Sequence, residues 1–90
     1  MNKQLYMLID AYSSEGEYLT DTYLYSTLKK ARKKLNLLKE YYKQIIGRFF
    51  NDTDEYDDTF EITDNADEYL SQSIGSDEYL LLQIKCVPIE

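Results

Sequence analysis

Between Asn51 and Glu78 the chain carries eleven carboxylates and no basic residue. The densest run, Asn51 to Asp58 (NDTDEYDD), sets Asp52, Asp54, Glu55, Asp57 and Asp58 around Tyr56, and Asp67 and Glu68 follow beside Tyr69. Clustered carboxylates serve acid–base catalysis, cation binding, or docking on a basic surface. Calcium loops need oxygen ligands at fixed spacing, and the EF-hand order fails. Counting from Asp52, the fifth position is Tyr56, the sixth is Asp57 instead of Gly, and the twelfth is Thr63 instead of Glu. No dedicated metal site and no cofactor are expected. A catalytic carboxylate pair needs a cleft deeper than a domain this small usually provides. There is no His, no Gly-rich phosphate loop and no nucleophile elbow. The single Cys86 lies in an apolar strand pattern and is expected to be buried and inert. An enzyme is therefore not expected. What remains is docking: carboxylates that repel one another are relieved by a cationic surface, with Tyr rings as rigid half-apolar anchors. The partner-binding residues expected on this reading are Asp52, Asp54, Glu55, Tyr56, Asp57, Asp58, Asp67, Glu68 and Tyr69.

The element that must position them is a long amphipathic helix. Leu28, Ala31, Leu35, Leu38, Tyr42, Ile45 and Phe49 recur three and four residues apart, which places them on one helical stripe. Ser26 is the expected N-cap and Gly47 the expected stop. From Ser26 to Arg48 there are eight basic residues and one acidic one, so this helix is the basic pole of a chain of net charge −7. Lys29, Lys30, Arg32, Lys33, Lys34, Lys39 and Lys43 lie off the stripe. They are the candidates for phosphate contact if the helix, residues 26–48, binds nucleic acid. The alternative is a solvated face partly neutralised by the chain's own acids.

Around the helix the pattern is of strands. Lys3–Tyr12 and Tyr18–Tyr25 read as an antiparallel hairpin turned at Ser13–Glu17, with Gly16 free to take a positive φ. Thr59–Thr63 reads as a short strand, and residues 64–67 as a turn. Glu68–Ile74 reads as strand or short helix, with strand preferred. Tyr79–Ile89 is the strongest strand, with Leu80, Leu82, Ile84 and Cys86 on one face. The expected fold is α+β, in the order β-β-α-β-(β)-β. A sheet of about four to five antiparallel strands would carry the helix on one face, within a single domain spanning residues 1–90. Leu5, Met7, Ile9, Leu80, Leu82 and Ile84 are expected to meet the helix. An outer face with Tyr6, Leu8 and Leu81 would then be open to self-association, as in a homodimer. No signal-peptide pattern opens the chain and no apolar run is long enough to span a bilayer. With a single Cys, a cytoplasmic location is expected and no membrane partner.

A small, acidic, Tyr-rich, His-free chain with a Lys-laden helix resembles small proteins of phages and mobile elements of the anti-CRISPR and anti-restriction type. The stretches YSSEGEYLTDTYLYSTLKKARKKL and NDTDEYDDTFEITDNADEY carry the likeness. It implies an inhibitor that presents carboxylates where DNA phosphates would bind, a DNA mimic acting on a host nuclease. The functional expectation is thus a non-enzymatic interaction protein that binds a basic surface of a host protein. Nucleic-acid binding by the helix, or a structural or oligomeric role, is the alternative.

Overall fold

The computed structural model describes residues 3–51 and 60–89. In chain order these form β1 (Lys3–Ser14), β2 (Glu17–Tyr25), α1 (Leu28–Ile45), a 3-10 turn (Gly47–Phe50), β3 (Phe60–Asn65), β4 (Glu68–Ser73) and β5 (Tyr79–Ile89). The α+β class is as expected: five antiparallel strands form one sheet with one helix on it. Its order is β2-β1-β5-β4-β3, so the last strand lies at the centre between two hairpins. The ambiguous segment after Glu68 is strand β4. Among the described residues no helix is long and apolar enough to cross a membrane.

The β1–β2 turn is two residues, Glu15 (φ 52°) and Gly16 (φ 83°), both left-handed. Such a turn matches the twist of the strands it joins. The helix starts one residue later than expected, and Thr27 caps it in place of Ser26: its side chain accepts the Lys30 backbone N–H at 3.2 Å. It also ends earlier. The Ile46 N–H closes on the Tyr42 carbonyl at 2.7 Å, and the chain passes directly into the 3-10 turn. Gly47 opens that turn and is not a left-handed cap. Two stripe residues therefore change role. Phe49 reaches the core through the turn instead of the helix, and Ile45 is 55% exposed.

The core is formed by Leu35, Leu38 and Tyr42 of α1 with Leu8, Tyr69, Leu80, Leu82, Phe60 and Phe49. On β5 the expected inward face is correct as far as Ile84. Cys86 shares that face but is exposed, which overturns its expected burial. On β1 the expected face is reversed. Leu8 lies opposite Ile84, Asp10 opposite Leu82 and Tyr12 opposite Leu80, and residues opposite one another share a face. Leu8, Asp10 and Tyr12 therefore look toward the helix, with Tyr6 in the same alternation. Leu5, Met7 and Ile9 lie on the uncovered side. Of the outer trio Tyr6, Leu8 and Leu81, only Leu81 is on the outer face.

Candidate protein-interaction cleft

Asp52, Asp54, Glu55, Tyr56, Asp57 and Asp58 lie outside the described residues. The other three expected site residues are separated by the alternation of β4. Asp67, in the β3–β4 turn, accepts the Arg32 Nε–H at 2.7 Å. Glu68 is on the uncovered sheet face, where its carboxylate accepts the Gln83 amide at 2.9 Å. Tyr69 points the other way and is 2% exposed. Its hydroxyl donates to the Phe49 carbonyl at 2.9 Å, and its ring stacks on Phe50 at 4.5 Å. Burial first, and the Asp64 charge second, push its phenol up to about 12. Tyr69 is thus a core residue that anchors the 3-10 turn.

The basic helix is partly neutralised from within. Arg32 pairs with Asp67, Lys39 pairs with Asp64 at 2.8 Å, and Lys34 sits 5.0 Å from the centre of the Tyr23 ring. The β3–β4 hairpin thus supplies the counter-charge for one side of α1. Lys29, Lys30 and Lys33 are exposed, with no ion pair among the described residues.

A different set of residues converges at the opposite end of the helix. A cleft of about 450 Å³ opens between the β1–β2 hairpin and the C-terminal turn of α1, lined by Tyr12, Ser14, Glu15, Glu17, Ile45, Ile46, Gly47 and Arg48. Its two-residue hairpin turn holds Glu15 and Glu17 over the helix end. The helix ends here with its negative pole, which adds to the carboxylates. Arg48 is the one cation of the lining, and it is already engaged. Its guanidinium lies 2.5 Å from Glu78, donates to the Ser14 hydroxyl and is 3.9 Å from Glu15. Ser14 in turn donates to Glu78 at 2.8 Å. The Ser14 hydroxyl, and after it Arg48, hold the Glu78 carboxyl below its ordinary value against the opposing effect of burial.

Aromatic rings line the approach. Tyr12 donates to Glu17 at 3.4 Å, and burial, with Glu17 next, raises its phenol. Tyr12 meets Tyr42 edge-on at 5.9 Å, and Tyr42 meets Tyr41 edge-on at 5.4 Å. Beneath them the Tyr42 hydroxyl donates to Asp10 at 2.6 Å in the core. Burial raises both groups, so the bond is between a neutral phenol and an acid whose carboxyl is itself pushed up. Outside, Tyr41 is 56% exposed and Ile45, one turn on, 55%. Leu37, a turn earlier, continues this exposed stripe.

The cleft presents the exposed Ile45 side chain beside the Glu15 and Glu17 carboxylates, which lie at the surface against Arg48 and Tyr12. Among the described residues no group of three or more acidic or Cys side chains is placed to hold a metal ion. Comparison with family models, curated proteins and solved structures returns no match for this chain. Sequence reasoning treated Glu15 and Glu17 as turn residues and Ile45 as core. Ile45 continues the four-residue row of Leu37 and Tyr41, whereas the buried row of Leu38 and Tyr42 continues to Ile46, which packs against the core.

Proposed function

We propose that the protein is a non-enzymatic interaction protein that binds a basic, partly apolar surface of another protein through the Glu15–Glu17–Ile45 cleft. The observation that carries this reading is the placement of the exposed Ile45, one helical turn from the exposed Tyr41, beside the Glu15 and Glu17 carboxylates at a helix C-terminus. Apolar anchors supply contact area and the negative field selects a Lys- or Arg-bearing partner and speeds its approach. The chemistry is that expected of the acidic stretch, an anionic, Tyr-bearing patch, at residues that the hairpin and helix bring together. The likeness to anti-CRISPR and anti-restriction proteins makes the DNA-binding channel of a host nuclease the first surface to try. Nucleic-acid binding by α1 is favoured by one observation, the three lysines of its first turns that have no ion pair among the described residues, and opposed by the internal pairing of Arg32 and Lys39.

Affinity capture from the source cell's lysate, at low and at high salt, separates the two. A protein retained by the wild type, released as salt rises and lost with Glu17→Lys plus Ile45→Asp supports the cleft. Retention indifferent to those changes overturns it. So does nucleic acid captured by the wild type and lost with Lys29→Glu plus Lys33→Glu.

A further inference from the structure

The sheet face turned away from α1 carries the second inference. Nothing among the described residues covers it. Along β1 it presents Leu5, Met7, Ile9 and Ala11, and the register sets Leu81 of β5 and Leu70 of β4 beside Ala11 in one row across the sheet. Charge is nearly absent. In a chain whose residues are 30% charged, the described side chains of this face include only Lys85, Glu61 and Glu68 as ions. The row of Ala11, Leu81 and Leu70 is apolar, with Gln83 and Glu68 beginning two residues along and Lys85 further on, so the middle of the face is low in charge, as the core of a contact surface is. Polar residues hold its flanks, Thr20 and Thr22 on β2 and Thr63 and Asn65 on β3.

We infer that this face packs against the same face of a second copy, giving a two-fold dimer with its helices on the outside. Three observations favour a second copy over another occupant. The first is charge: this face is the part of a strongly acidic chain where two copies meet without many like charges. The second is extent. With strands about 4.8 Å apart and about 3.3 Å per residue, five strands of about seven residues cover roughly 550 Å² in projection. Side-chain relief exposes more than the projection, and a standard interface takes about 800 Å² from each partner.

The third observation is shape. β5 is the central strand of five, so a two-fold axis running along it passes at Leu81. That axis lays the β4 side of one copy over the β1 side of the other. Leu70 then meets Ala11, large against small, in the row where Leu81 meets Leu81. The β3 edge with Glu61 falls over the β2 edge with Tyr18 and Glu68 over Ile9; among the described side chains the ion that meets its own equivalent is Lys85, exposed and four residues along β5 from Leu81. Face-to-face sheets with strands roughly aligned are a common way to cover such a surface.

The test is sedimentation equilibrium of the full chain over a wide concentration range, with circular dichroism to verify folding. The wild type should show twice its 10.7 kDa mass. Leu81→Glu should shift it to monomer. Gln83→Lys guards against a variant that fails to fold. The new ammonium can pair with Glu68 of its own copy yet meets its equivalent across the axis, so the dimer should weaken about 10-fold or more. Ile45→Asp, in the cleft on the other side, should leave the mass unchanged. A wild type that stays monomeric at every concentration overturns the inference, as does a folded Gln83→Lys with undiminished dimer, or a dimer lost with Ile45→Asp alone.

Discussion

The two faces of the sheet are built from the same strands and differ in what fixes them. The covered face is held by large side chains at near-complete burial and by polar pairs that allow one arrangement: Tyr42 to Asp10, Tyr69 to the Phe49 carbonyl. The open face has apolar residues at half burial and few specific polar bonds. Burial in a jigsaw specifies a conformation, whereas a half-buried apolar surface specifies an appetite for another surface.

Truncation should separate the faces most clearly. Leu35→Ala or Leu82→Ala removes a fully buried side chain and should cost about 2–5 kcal/mol in urea unfolding, at any protein concentration. Ile9→Ala on the open face should cost less at high dilution, and its cost should grow with concentration if two copies meet there. Equal costs at high dilution would break the distinction.

Two carboxylates sharpen it further, because burial acts on them with opposite outcomes. Burial, opposed by the Tyr42 hydrogen bond, raises Asp10 above its ordinary 3.8. A raised acid holds its proton better when folded, so its contribution is complete below that value and is lost as pH rises through the folded one. Asp10→Asn keeps an acceptor for Tyr42 and should therefore be at least as stable as the wild type at neutral pH, with its advantage gone in acid. Glu78 is lowered from 4.5, so its contribution is present above that value and is lost as pH falls through the folded one. Glu78→Gln should cost about 1–3 kcal/mol at neutral pH and nothing once both states are protonated. Denaturant titrations across acid and neutral pH measure both.

The smallest effects concern local misfits. The Ser71 hydroxyl is fully buried without a hydrogen-bond partner among the described residues, so Ser71→Ala should be neutral or stabilising by about 1 kcal/mol. Glu15 holds a left-handed backbone that favours Gly or Asn, and Glu15→Asn should raise the melting temperature slightly while weakening any basic partner. A lowered melting temperature would show that the Glu15–Arg48 contact outweighs the backbone strain.

Much of this fold was legible in the chain. The bounds of β5 match those expected, and the three-four spacing around Leu35 and Leu38 located the helix and its buried side. What failed was the facing of β1. Leu5, Met7 and Ile9 alternate with Tyr6 and Leu8, so both faces are apolar and a period of two cannot choose between them. The choice is made by pairing with β5, which lies some seventy residues away in sequence, on the order of the most distant contacts such a domain can make. The site was less legible. Glu17 and Ile45 share a cleft only because a tight hairpin turn and the early end of α1 bring them together, and neither residue carries a motif. Tyr69, expected at a contact surface, belongs to the core because its neighbour Glu68 took the other face.

The position of β5 has a consequence for how the chain acquires its shape. Each hairpin, β1–β2 and β3–β4, pairs residues close in sequence, yet the two never touch as neighbours in the sheet. Only the last strand joins them, by pairing with β1 on one side and β4 on the other. During synthesis the helix and both hairpins emerge before the strand that gives the core its Leu80 and Leu82. The cooperative transition must wait for the C-terminal segment to clear the ribosome, and a nascent chain stalled before Tyr79 should be readily cleaved by protease where the finished chain resists.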